Sequence, residues 1–223
     1  MKDNKIALPK KKYEYGYELA YQIASEQLAG IGDIEKQCSK SGAIYLDSQR
    51  VSLEYLNQPY LIHIPDAEVS PAAGNEAVPV REKILILHYF TQAKGTPLSG
   101  KQVTYRELKE GSLYAPVFYQ RAIKPLVDHF GSEPHRLAEV AQVWGSQPAE
   151  YGDISVTVPA FPCVPLTLIL WKGDDEFPPE GNLMFDSTVP DYLTSDDTHA
   201  LCEIVAWKLV SLLKAGGDNA GKR

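Results

Sequence analysis

Cysteine is scarce in this chain of 223 residues: there are three, Cys38, Cys163 and Cys202, far apart in sequence. An odd, sparse count argues against a disulfide framework. No Cys-x-x-Cys occurs, so neither a zinc ribbon nor an iron-sulfur cluster is expected. Four catalytic or nucleotide signatures are also missing: Gly-x-x-x-x-Gly-Lys-Ser/Thr, Gly-x-Gly-x-x-Gly, His-Glu-x-x-His and Gly-x-Ser-x-Gly. Nucleotide-dependent, zincin and α/β-hydrolase readings lose their support. The longest apolar run, Val164 to Trp171, is far too short to span a bilayer, so no membrane partner is expected. The start, Met1-Lys2-Asp3-Asn4-Lys5, has no apolar segment behind it; no signal peptide is expected, and a cytoplasmic location is.

Clustered base is missing too. The formal charge is -7. Between Lys172 and Thr198 stand eight acids (Asp174, Asp175, Glu176, Glu180, Asp186, Asp191, Asp196, Asp197) and one base, so that stretch carries the whole excess. Phosphate binding needs clustered Lys and Arg, so a nucleic-acid partner is not expected.

What is present is ordinary globular composition, 44% hydrophobic and 23% charged. The length suits one domain that buries its own core without staples. Residues 1–12 hold five lysines and read as a basic flexible tail, 13–214 as a single globular domain, and 215–223 as a second flexible tail.

The hydrophobic pattern places the elements. Tyr13, Tyr17 and Tyr21 recur at i, i+4, i+8 and predict a helix to Ala29, its tyrosine edge packed on the core or offered to a partner. A short helix or turn through Cys38 follows the break at 30–33. Ala43–Leu46 is a strand; Val51, Leu53 and Tyr55, then Tyr60, Ile62 and Ile64, alternate on two more, with the turn at Asn57-Gln58-Pro59. Asp66 to Pro79 reads as loop. Arg81 to Ala93 is apolar all round, which predicts a buried helix ending near Gly95. Ala115 to Phe130 is a helix bent or split by Pro125, and another ends near Trp144. Ile154, Val156 and Val158 alternate on one strand, and Val164, Leu166, Leu168 and Leu170 on the next. Ser195 is expected to cap a last, largely buried helix running to about Lys214. Strands in hairpins, flanked by helices without β-α alternation, give an α+β fold with mostly antiparallel sheets.

Three sets of residues carry candidate chemistry. Asp174, Asp175, Glu176 and Asp186, with Asp196 and Asp197, could ligate a divalent metal if their loops converge, or pair with Arg106 and Arg121, or simply be solvated and cap the helix. His88, beside Tyr89 in an apolar run, is either a core histidine or a ligand for haem iron, corrinoid cobalt or zinc. Cys163 is either a small buried hydrophobe or a reactive thiol.

One family shows the same motifs in the same order: Leu87-His88-Tyr89, Gly95-x-Pro97-Leu98-x-Gly100, Arg106-Glu107-Leu108, Arg121, Phe130-Gly131, Gly152-Asp153, Phe161-Pro162, Trp171-x-Gly173-Asp174-x-Glu176-Phe177-Pro178, Phe185-Asp186 and Tyr192-Leu193. Across about residues 14–213 the chain resembles a prokaryotic family known as domain of unknown function 3786. It departs from the pattern near Val103-Thr104-Tyr105, and Asp196-Asp197 stands where a Glu-Asp pair is expected. The resemblance implies an anaerobic bacterial or archaeal setting. Some members carry an N-terminal four-iron cluster domain similar to that of corrinoid iron-sulfur proteins. This chain lacks those cysteines, so no cluster of its own is expected. The resemblance thus implies a binding or accessory module in metallocofactor (corrinoid or iron-sulfur) or one-carbon metabolism, with a redox or corrinoid protein partner. His88, Tyr89, Arg106 and Arg121 are then the cofactor-facing candidates. An enzyme built on the carboxylates, and a scaffold whose acidic proline loop docks a partner, stay open beside it.

Overall fold

The computed structural model describes residues 10–220, and side chains within 16–216. Tyr13's side chain and the terminal segments 1–9 and 221–223 lie outside the described residues.

Helix α1 spans Lys10–Ala29 and α2 Ile34–Ser41. The first helix thus starts before Tyr13. A four-stranded meander follows: β1 Ile44–Asp47, β2 Arg50–Tyr55, β3 Gln58–His63 and β4 Val69–Pro71, in order β1-β2-β3-β4 and antiparallel throughout. Tyr55 pairs with Gln58, so the turn is Leu56-Asn57, one residue earlier than expected, with both residues left-handed at φ 50° and 56°. Those angles are the type I′ turn that suits the twist of a two-residue hairpin. Leu56 is held there by burial and by its N–H donating to Ala160 O at 3.0 Å. β4 lies inside the segment expected to be loop.

Helix α3, Val80–Gln92, is buried around most of its circumference, as its composition predicts. Its C-terminal carbonyls are satisfied from outside: Gln37 Nε2 donates to Phe90 O at 2.6 Å and Ala93 O at 3.0 Å. Strand β5, Gln102–Thr104, runs into a 3₁₀ turn at Tyr105–Glu107.

The helix expected over 115–130 is split. Helix α4, Gly111–Phe118, passes through a π-turn at Tyr119–Ile123 into α5, Lys124–Phe130. Pro125 has no N–H for the Arg121 carbonyl, and Lys124 N–H reaches back five residues to Tyr119 O. Helix α6 is His135–Ala141.

The second sheet contains β5, β6 (Gln147–Pro148), β7 (Ile154–Phe161), β8 (Val164–Trp171) and β9 (Glu180–Asp186), in order β5-β9-β8-β7-β6, all antiparallel. Strand β9 was not apparent in the acidic stretch. Its Leu183 and Phe185 are fully buried. Helix α7, Ser195–Ala220, closes the chain and continues past Lys214. The architecture is α+β. One core joins both sheets: Phe161 of β7 stacks on Tyr89 of α3 at 4.2 Å and 6° and lies 5.0 Å from Tyr55 of β2. No helix is long and apolar enough to cross a membrane, among the described residues.

Candidate functional site at the start of the last helix

Helices α3 and α7 run past one another, and polar pairs tie them. Arg81 Nη2 lies 3.0 Å from Glu203, Lys208 Nζ 3.1 Å from the buried Glu82, and His88 Nδ1 2.7 Å from Asp197 Oδ1. The first two fix the helices at one end. The third brings together residues 109 positions apart, at the first turn of α7.

Asp197 is fixed before His88 reaches it. Thr194, not Ser195, is the N-cap. Its Oγ1 accepts the Asp197 N–H at 3.1 Å, while Asp197 Oδ2 accepts from Thr194 N at 3.3 Å and from Thr194 Oγ1 at 2.6 Å. That is a capping box with aspartate in the third position. Ser195 instead donates to Lys109 O at 2.7 Å. Burial works against the Asp197 charge, yet His88 and Thr194 outweigh it and its pKa falls below the ordinary carboxylate value. A carboxylate locked in this way orients the imbidazole ring opposite it. With Nδ1 committed to Asp197, His88 keeps Nε2, which makes no hydrogen bond among the described residues. The ring is mostly covered, its side chain 19% exposed.

Two residues further along α7, His199 packs on an aromatic pair. Tyr105 and Phe118 stack at 4.0 Å and 2°, and His199 meets both edge-on at 5.8 and 5.5 Å. Desolvation lowers the pKa of His199, with Arg121 and Arg81 adding to the shift against the pull of Glu203 and Asp196. Its Nε2 is buried without a hydrogen-bond partner.

The other sequence candidates are dispersed. Tyr89 is fully buried, and its hydroxyl donates to Ser41 O at 2.7 Å and accepts the Cys163 N–H at 3.1 Å. Cys163 sits at the tip of the β7–β8 hairpin, half-buried, its hairpin packed against Gly42. Arg106 and Arg121 are both exposed, and neither makes an ion pair with the acidic stretch among the described residues, so a buried arginine–carboxylate clamp is not formed.

Two of the four proposed metal ligands, Asp174 and Asp186, are committed to other donors, and the other two are exposed. Asp174 Oδ1 accepts the N–H groups of Glu176 and Phe177 and closes its own loop. Asp175 and Glu176 are exposed. Asp186, 3% exposed, accepts from Ser99 and Gly100 and from Thr188, pinning the loop after α3 to the end of β9. No group of three or more His, Cys, Asp or Glu side chains is disposed to hold a metal ion, among the described residues. The oxygens of Asp174 and Asp186 already serve backbone and hydroxyl donors, while Asp175 and Glu176 point no hydrogen bond inward, among the described residues.

The His88–Asp197 pairing was invisible to sequence spacing. The Thr194-x-x-Asp197 pattern was the one available signal, since a capping box removes Asp197 from the solvated acids. A comparison with known families matches residues 33–207 to the profile described as Domain of unknown function (DUF3786). No curated protein and no solved structure matches the chain.

Proposed function

The chain belongs to the DUF3786 family, and from that premise we propose that it is a binding or accessory module of anaerobic metallocofactor or one-carbon metabolism, with His88 as the group it offers to a metal. The single observation behind this reading is the 2.7 Å bond from His88 Nδ1 to the capped Asp197. Metal-ligating histidines characteristically give their second nitrogen to a carboxylate, which fixes the ring and raises its basicity. One imidazole with one carboxylate behind it would suit a cofactor that needs a single protein donor. A bare divalent ion needs several protein ligands at once, whereas a corrinoid or haem brings four nitrogens of its own. A bound corrinoid or haem would supply the redox or alkyl-transfer chemistry. The residues here would orient the ring of His88, hold its Nδ1 proton on Asp197 and keep Nε2 as the donor.

The cofactor need not be housed by this chain. None of the described clefts includes His88 in its wall, and a ring-sized ligand held by a protein is buried over most of its surface. The reading therefore favours a cofactor presented by a redox or corrinoid protein partner. A carboxylate-built enzyme is not favoured, because Asp174, Asp175, Glu176 and Asp186 line none of the described clefts.

The test is an absorption spectrum and metal analysis of protein purified without oxygen or chelator, followed by titration with aquocobalamin and with haem. Binding should shift the cofactor spectrum, vanish in His88→Ala and weaken about 10- to 100-fold in Asp197→Asn. A protein that binds neither cofactor and captures no redox or corrinoid protein would overturn the proposal, as would a His88→Ala variant that binds unchanged.

A further inference from the structure

Three clefts differ in charge. The largest, about 370 Å³ between α3 and α7, is walled by Arg81, Glu82, Glu203 and Lys208, and its two cations face two anions. A second, about 260 Å³ at the start of α7, sets Lys109 against Glu110 and Asp196. The third, about 130 Å³, is formed by β5, the 3₁₀ turn, α4, the π-turn and β9, and its wall contains one cation, Arg106, and no acid. In a protein of net charge -7 that is a local reversal.

Its donors are uncommitted. Glu107, the nearest acid in sequence, is tied to Thr104 N at 2.7 Å and Thr104 Oγ1 at 2.9 Å, which closes the capping box of the 3₁₀ turn. Among the described residues the Arg106 guanidinium makes no ion pair or hydrogen bond, and neither the Asn182 amide nitrogen nor the Tyr119 hydroxyl is hydrogen-bonded. Apart from Thr104, whose hydroxyl is bonded to Glu107, the remainder of the wall is apolar: Ala115, Phe118, Ile123 and the Tyr105 ring, all buried. The Tyr105–Phe118 stack makes that part stiff.

We infer that this cleft binds a short aliphatic carboxylate. The carboxylate would meet the planar fork of Arg106, which matches two oxygens, with the Asn182 and Tyr119 donors beside it. The chain of the acid would lie on the apolar wall. A cavity of about 150 Å³ takes up benzene, so this cleft suits an acid of about six heavy atoms or fewer, such as propionate or butyrate. This site is independent of the proposed cofactor role of His88, which lies on α3 and outside this wall.

Calorimetric titration of the full chain with sodium propionate and sodium butyrate, against propanol and inorganic phosphate, tests it. Saturable binding in roughly the millimolar range is expected for the two acids, since so few atoms limit affinity. Propanol lacks the charge, and phosphate lacks the chain, so both should bind at least about tenfold more weakly. Arg106→Ala should remove at least about tenfold of the butyrate affinity, and Arg106→Lys should restore only part of it. Arg106 is exposed, so both variants should fold, which a thermal melt checks. Butyrate that does not bind, phosphate that binds as well as butyrate, or an Arg106→Ala variant with unchanged affinity would each overturn the inference.

Discussion

Asp186 provides the sharpest test of how the acidic stretch works. It is 3% exposed and accepts five hydrogen bonds: from Ser99 N at 3.1 Å, Ser99 Oγ at 2.9 Å, Gly100 N at 2.7 Å, Thr188 N at 3.0 Å and Thr188 Oγ1 at 2.8 Å. Burial pushes its pKa up, but the bonds from Thr188 and Ser99 prevail and bring it from 3.8 to about 2. A fall of that size is worth about 2 kcal/mol at neutral pH. The bonds are only part-buried, so solvent screening trims the figure to about 1–2 kcal/mol. The folded pKa lies below the unfolded one. The stabilisation is therefore complete above about pH 4 and fades as pH falls toward 2.

Asp186→Asn removes the charge and turns one acceptor into an NH₂ that faces backbone donors, adding about 1–2 kcal/mol. The expected total is about 2–4 kcal/mol at pH 7, a Tm loss of roughly 5–15 °C for a chain of this size. Urea melts by circular dichroism, run from pH 7 to pH 2 beside wild type and Asp175→Asn, supply the assay. The gap between Asp186→Asn and wild type should narrow between about pH 4 and pH 2, and Asp175→Asn should match wild type within about 0.5 kcal/mol. A loss below about 0.5 kcal/mol at pH 7 would refute the reasoning, as would a gap that stays constant to pH 2. Chelator should leave every melt unchanged; a metal-dependent Tm lost in Asp186→Asn would restore the metal site.

Other perturbations read other parts of the fold. Gln37→Leu strips the C-terminal carbonyls of α3 of their buried donor and should cost about 2 kcal/mol in chemical denaturation. Gly111→Ala would place a Cβ 1.8 Å from Tyr105 O, so α4 must move; a loss of several kcal/mol, or no folded protein, is expected in a thermal melt, and a wild-type Tm would contradict the packing. Phe161→Ala empties the stack that joins the two sheets and should cost about 3–5 kcal/mol. A loss under about 1 kcal/mol there would mean that the sheets do not share this core.

The sequence was most legible where the pattern is repetitive. Alternation over Val51–Tyr55 and Ile154–Val158, and the unbroken apolar run of α3, located their elements because burial on one face or all round leaves little choice of conformation. It was least legible where packing, not propensity, decides. Strand β9 offers only Leu183 and Phe185 as inward side chains, preceded by Gly181 and Asn182. Gly181 sits close to its neighbours: a Cβ would come 3.0 Å from Val127 Cγ2 of α5 and 3.1 Å from Leu170 Cδ2 of β8, so those side chains would have to shift. Nothing in the order Glu180-Gly181-Asn182 announces a strand next to the centre of a sheet. For the site, a histidine in an apolar run was visible, while its partner 109 residues away was not. Tyr89 and the two arginines drew notice through the family motifs, and the fold sets them apart: Tyr89 is buried in the core, while Arg106 and Arg121 are exposed.

The acidic stretch now has a physical explanation that joins these observations. Asp174 closes its loop on two N–H groups, Asp186 holds Ser99, Gly100 and Thr188, Asp191 holds Lys94 at 2.8 Å and Thr96 at 2.8 Å, and Asp197 holds Thr194 and His88. Loop segments leave backbone donors that no ladder satisfies, and each such donor must find an acceptor. Aspartate, with two oxygens on a short stem, satisfies several at once. Irregular backbone around β9 and the start of α7 thus accounts for four of the eight acids between residues 172 and 198; Asp175, Glu176, Glu180 and Asp196 are exposed. In that arrangement His88 is the exceptional partner: the other donors are backbone groups, hydroxyls or a lysine, while the imidazole has a second ring nitrogen that takes no part in the bond to Asp197.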